Sequence, residues 1–282
     1  MRVMIYLGRV GRGRWQTFNH GPVRASQGVF MITYHDGREF DLDFSKEKHS
    51  YFLDGEKIPS VTRVIDACFP KYLVDWAVKE GAEAYLNAWN QGEVKDRYDL
   101  IINAHKEIST EAADIGSAVH DWIEEYIKGN DPAEPIVGEN CISAFRDWHK
   151  KTDVTWLHSE LKVLYKTDNY CFAGTVDAVA EINGRLYVID FKTSKAIYKS
   201  YYLQIAAYVM AVKEQLGLDC EGIILRLDKE TGKYQEKIFK ASDHFHMFMN
   251  CLDLKNWNSV RIKGLKYEPR PTVTEAMELQ RN

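Results

Sequence analysis

The dipeptide Asn183-Gly184, set between the apolar runs of residues 173–182 and 185–192, constrains this chain more than any other feature. Asn-Gly between alternating apolar residues is the strongest short-range signal for a two-residue hairpin, because both turn positions need positive φ. Such a turn sets the register. Ile182 opposes Arg185, and following the ladder back puts Asp177 directly across from Asp190. Opposed residues share a face, with Cα atoms about 4.5–5.5 Å apart. One hairpin earlier, a turn at Asp168-Asn169 opposes Thr167 to Tyr170 and places Glu160 across from Asp177, unless a bulge shifts Glu160. Lys192, two residues beyond Asp190, points to the same face. The sequence thus predicts three carboxylates in a row, one per adjacent strand, with a lysine beside them.

Like charges opposed on a sheet destabilise it, so such a row needs a cation, raised pKa values or open water. A solvent-facing amphipathic hairpin would also place Asp177 and Asp190 together, since polar-out alternation is common. The run Tyr187-Val188-Ile189-Asp190-Phe191 argues otherwise: it is nearly all apolar, as in a strand buried on both faces, where an ionised group must be paired or coordinated. Hard oxygen ligands with open positions suit Mg²⁺ or Mn²⁺. A lysine alongside can orient or help deprotonate an attacking water and steady charge on a phosphate. Glu160, Asp177, Asp190 and Lys192 are therefore the candidate catalytic residues of phosphodiester hydrolysis.

Changes of sequence period divide the chain. Residues 1–58 read as β-rich, with turns at His35-Asp36-Gly37-Arg38 and Asp54-Gly55. Residues 59–150 read as helical from Ser60 or Thr62 onward, with breaks near Gly92 and from Gly129 to Pro135. Residues 151–263 alternate strands with helices near 200–216, stopped by Gly217, and from about 242. Residues 264–282 read as a tail. The net charge of −4 excludes a generally basic nucleic-acid binder, yet residues 1–35 carry five Arg and no acid, and residues 255–270 carry five Lys or Arg against Glu268. Five widely spaced cysteines form no zinc or disulfide pattern, which fits a reducing, cytoplasmic setting. No apolar run is long enough to cross a bilayer.

Glu160, Gly174-Thr175-Val176-Asp177, Ile189-Asp190-Phe191-Lys192-Thr193-Ser194, and then Gln204 and Tyr208 one turn apart resemble the PD-(D/E)XK nucleases, in particular the RecB-like branch. Gly116-Ser117-Ala118-Val119-His120 is similar to that branch's G-x-x-x-H helix. Ile58-Pro59-Ser60-Val61-Thr62-Arg63-Val64-Ile65 with Leu73, Trp76 and Ala77 resembles phage exonucleases and mitochondrial genome-maintenance exonucleases. The resemblance covers roughly residues 50–240. It implies an α/β fold with a restriction-endonuclease-like core, a mixed central sheet flanked by helices, with the β-rich N-terminal segment appended and the helical region over the site. It also implies that His120 joins Asp177, Asp190 and Glu160 as a metal ligand and that Gln204 and Tyr208 support the site. Some RecB-like members hold an iron–sulfur cluster on four cysteines; here only the isolated Cys220 and Cys251 lie in the C-terminal region, and no cluster is expected.

The expected activity is metal-dependent hydrolysis of DNA, exonucleolytic and favouring single-stranded ends, with a structure-specific endonuclease or an inactive DNA- or protein-binding module as the alternatives. Trp76, Trp89, Tyr72 and Tyr85 read mainly as core, with one or two available to stack on bases.

Overall fold

A computed structural model describes residues 6–9, 15–18, 29–69, 74–91 and 97–259. Tyr72, Leu73, Gly92, most of the N-terminal arginines, the basic positions from Arg261 to Arg270 and the tail 264–282 lie outside the described residues.

The chain begins with a short antiparallel pair, β1 (Tyr6–Arg9) and β2 (Trp15–Phe18). A four-stranded antiparallel meander follows in the order β3 (Val29–Thr33), β4 (Glu39–Ser45), β5 (Ser50–Leu53) and β6 (Glu56–Ile58). Its turns fall where the sequence places them, with Asp54 and Gly55 both at positive φ. Four helices come next: α1 (Val61–Cys68), α2 (Val74–Gln91), α3 (Arg97–Ile127) and α4 (Glu139–Lys151). Ser60 caps α1 by accepting from the Arg63 amide at 3.3 Å.

The central sheet is built from β7 (Val154–Lys166), β8 (Cys171–Ile182), β9 (Arg185–Lys192), β10 (Glu221–Leu227) and β11 (Tyr234–Phe239). Helix α5 (Lys199–Leu216) connects β9 to the parallel β10, and α6 (Ser242–Ser259) ends the described chain. The strand order is 11-10-9-8-7, with β9–β10 parallel and the other pairs antiparallel. This is the mixed sheet that the sequence predicts. Asn183 (φ 50°) and Gly184 (φ 77°) make the tight turn, and Ile182 pairs with Arg185. At the other hairpin the Thr167 amide donates to the Tyr170 carbonyl at 2.9 Å.

Both faces of this sheet are covered, which explains the almost unbroken apolar run of β9. One face packs Val176, Val179 and Val188 against α1, α5 and α6. The other packs Ala178, Ala180, Ile189 and Phe191 against Val119, Ile123, Phe145 and Trp148 of α3 and α4. The N-terminal meander closes the outer end of β7 and β8, burying Ile32, Tyr34, Leu42, Tyr51 and Leu53 with Leu164 and Ala173. Strand β7 is an edge whose backbone groups need partners. The Tyr34 hydroxyl donates to the Leu164 carbonyl at 2.7 Å, and Gln215, 1% exposed, accepts from the Leu164 amide at 3.0 Å. These contacts tie the meander and α5 to the strand that carries Glu160.

Candidate active site

The central sheet opens where its carboxylates lie. The β7–β8 ladder pairs Ser159 with Ala178 and Leu161 with Val176 but skips Glu160 and Asp177, and Glu160 has a positive φ of 49°. The β8–β9 ladder ends at Ala178–Ile189, one rung before Asp177 and Asp190. The register arithmetic therefore holds on the flanking rungs, so Glu160 stays across from Asp177 although the two carboxylates form no rung of the ladder. Regular alternation breaks here too: Val176 and Val179 face one core, Ala178 and Ala180 the other. The interruption leaves the Glu160 and Asp177 carboxylates near each other, with ligand atoms within 4.8 Å, so their like charges still call for a cation or a raised pKa. The Phe191 amide, left without a carbonyl partner on β8, instead donates to Asp177 Oδ2 at 2.8 Å.

Helix α3 delivers His120 into this opening. Its Nε2–H donates to the Phe191 carbonyl at 3.0 Å, because a carbonyl can only accept. Nδ1 is then a lone pair facing Asp177 Oδ2 at 3.5 Å. Two acceptors in that position need a cation or a proton between them. A ring N–H given to a carbonyl while the other nitrogen stays free is also how metal-ligating histidines are oriented. Ligand atoms of His120, Glu160 and Asp177 all lie within 4.8 Å of one another. Burial, and then the charge of Asp177, push the Glu160 carboxyl up to about 7. The donor set of two carboxylates and one imidazole fits a divalent metal ion. Gly116, one turn before His120, is not needed for close approach: a Cβ there would make an ordinary 3.5 Å contact with Thr193.

Asp190 and Lys192 form a second group on the α5 side. Asp190 is 1% exposed. Its Oδ1 accepts from Gln204 Nε2 at 3.1 Å, and its Oδ2 lies 2.5 Å from Lys192 Nζ. Asp190 Oδ2 has no further partner among the described residues, so this buried oxygen depends on the Lys192 ammonium for its counter-charge. Burial raises the Asp190 carboxyl, with Lys192 opposing and Asp177 adding to the shift. Burial works against the Lys192 charge, but Asp190 and Asp177 overcome it and hold the ammonium above the ordinary lysine range. The sequence grouped Asp190 with His120, Asp177 and Glu160 as one ligand set. The structure gathers the last three and sets Asp190 beside them, against Lys192.

Gln204 also donates to the Tyr208 hydroxyl at 3.3 Å, and Tyr208 is buried against Gly174. A Cβ on Gly174 would come 2.5 Å from Tyr208 Cε1. Gly174→Ala is therefore expected to displace the ring that backs Gln204, costing about 2 kcal/mol and lowering Tm by roughly 5 °C. Thermal unfolding checks this, and an unchanged Tm would mean the ring moves freely.

Periodicity gave no sign of four neighbours. Tyr201, one turn before Gln204, places its ring 4.9 Å from Lys192 Nζ. Arg226, the β10 partner of Lys192, donates to the Ser194 carbonyl at 2.8 Å and pairs with Asp228, holding the loop after the lysine. Glu124 lies one turn after His120 and adds negative charge near Glu160. Lys162 lies two residues after Glu160, with Nζ 3.9 Å from its carboxylate. Only spacing from a neighbouring site residue could have flagged them. In the α2–α3 hairpin, Trp76 packs edge-on to His105, while Trp89 beside Tyr85 is 54% exposed.

The family model of the PD-(D/E)XK nuclease superfamily matches residues 141–272. No curated protein matches the chain. Among solved structures, a candidate exonuclease from Eubacterium rectale is similar at 14% identity and a TM-score of 0.38, covering 72% of this chain and 91% of its own. The protein SSO0001 is similar at 17% identity and a TM-score of 0.31, covering 67% and 89%. Likenesses of that strength carry no functional argument.

Proposed function

We propose that this chain, whose residues 141–272 match the family model of the PD-(D/E)XK nuclease superfamily, is a divalent-metal-dependent DNA exonuclease of the RecB-like branch, acting on single-stranded ends. The observation that carries the reading is the meeting of His120, Glu160 and Asp177 at a sheet opening, beside the buried pair of Asp190 and Lys192. His120, Glu160 and Asp177 would hold the metal, with Asp190 beside them, paired to Lys192. A cation bound there supplies a Lewis acid for the phosphoryl oxygen and lowers the pKa of an attacking water.

The chain's own residues do the rest. Lys192, kept charged by Asp190 and Asp177, steadies negative charge on the phosphate and orients the water. Asp190, fixed by Gln204, keeps the lysine in place, and Tyr201 covers it from α5. Tyr208, wedged on Gly174, backs Gln204.

Dependence on a free end rests on the α2–α3 hairpin, whose second helix runs directly into His120. Helices placed before the catalytic strands favour a strand that threads toward the metal, and the exposed aromatic Trp89 offers a base-stacking surface without sequence preference. Linear single strands are expected to be degraded to short products, while covalently closed circles of the same sequence resist. Equal rates on both would overturn threading and favour an endonuclease. No cleavage of either in Mg²⁺ would favour a binding module.

A further inference from the structure

We propose that Lys162 binds the backbone phosphate next to the one being cut, and so sets the flank along which the strand's backbone lies. The proposal rests on the nuclease reading above and adds to it a residue and a direction.

Lys162 is paired across the ladder with Thr175, two rungs from the opening at Glu160 and Asp177. Two residues of strand span about 7 Å, roughly one nucleotide of extended backbone. A phosphate held at the opening therefore has its neighbour over the Lys162–Thr175 rung. The side chain of Lys162 is only 20% exposed, lying 3.9 Å from Glu160 and 5.6 Å from the Phe44 ring centroid. Among the described residues its ammonium, a group with three donors, makes no hydrogen bond. A half-buried cation of that kind is costly unless an anion completes it, and the 3.9 Å ion pair with Glu160 is too long to do so.

The surroundings agree with a phosphate. The Phe44 ring of β4 lies under the Lys162 ammonium, 5.6 Å to its centroid, and leaves the outer side of the charge open to an anion. The helical side is the reverse: α2 carries three Asp or Glu against one Lys, and α3 carries seven against two Lys or Arg. Phosphates would be repelled there, while bases would not. A strand lying with its phosphates toward the meander and its bases toward the helices satisfies both sides.

The test uses the full chain and single-stranded oligonucleotides, each with one neutral methylphosphonate linkage stepped inward from the end. With wild-type protein, neutralising the linkage next to the scissile one should raise KM roughly tenfold, the usual scale for a charged hydrogen bond. Lys162→Met keeps the apolar stem and its packing. It should raise KM by a similar factor on the all-phosphate strand, leave kcat within about twofold, and abolish the penalty at that one linkage; Lys162→Arg should restore it. An unchanged KM in Lys162→Met, or a methylphosphonate penalty that persists in the variant, would overturn the assignment. Should wild-type protein fail to cut, the nuclease reading falls; anisotropy binding of the same strands still reads Lys162, by whether the linkage-specific loss of affinity disappears in the variant.

Discussion

Asp190→Ala and Lys192→Ala should each reduce cleavage by about three orders of magnitude or more, the scale seen when a preorganised charge is removed from a transition state. Each should also lower Tm, and for Asp190→Ala two effects compete. Removing a carboxylate relieves repulsion with Asp177, which alone would stabilise the metal-free protein. It also leaves Lys192, 17% exposed, without the partner 2.5 Å away, and strips Gln204 of its acceptor. Breaking a buried pair from one side costs about 3–5 kcal/mol, so the loss wins, and Tm in metal-free buffer should fall by roughly 10 °C. The double variant Asp190→Asn with Lys192→Met removes both charges together and should recover most of that stability without recovering activity. Wild-type turnover in either folded single variant would remove that residue from the chemistry. A raised Tm in Asp190→Ala would show that repulsion, not pairing, dominates at this position.

Much of this arrangement was legible from short signals. Asn183-Gly184 announced a turn with two positive φ values, and the turn set the register of β8 on β9. The apolar run around Asp190 announced a strand covered on both faces, which is why one carboxylate there was informative. Register arithmetic, however, treats each strand as a flat ladder. It allowed for a bulge at Glu160 but could not show that Glu160 turns to positive φ or that the β8–β9 pairing stops one rung short of Asp177, because both are properties of the assembled sheet. His120 lies 71 positions from its partner Phe191, so only the likeness of its helix to a known motif brought it into consideration. Tyr201, Arg226 and Lys162 act through contacts that have no sequence period. They became visible once Lys192 and Glu160 had positions in space.

Divalent metal should be required for activity and should also stabilise the fold. Excess EDTA is expected to abolish cleavage, Mg²⁺ or Mn²⁺ to restore it, and Ca²⁺ to restore it poorly. Calcium takes more oxygens at longer distances than this opening offers, so the attacking water would be misplaced. Stabilisation follows from mass action. An ion that binds the folded chain alone contributes about 2.7 kcal/mol at one hundred times its Kd, which for a chain of this size raises Tm by roughly 5–10 °C. The source of that energy is local: Glu160 is held half-buried against Asp177, and Asp177 Oδ2 faces the His120 lone pair at 3.5 Å. His120→Ala removes one ligand but leaves both carboxylates, so it should shift the Mg²⁺ midpoint of activity and of Tm upward by about tenfold or more without eliminating either response. Because the two readouts share one ion, they must move together. Full activity in EDTA would end the metal mechanism. A Tm that ignores Mn²⁺ would mean that the trio does not hold the ion, and an unchanged midpoint in His120→Ala would return His120 to the core of α3.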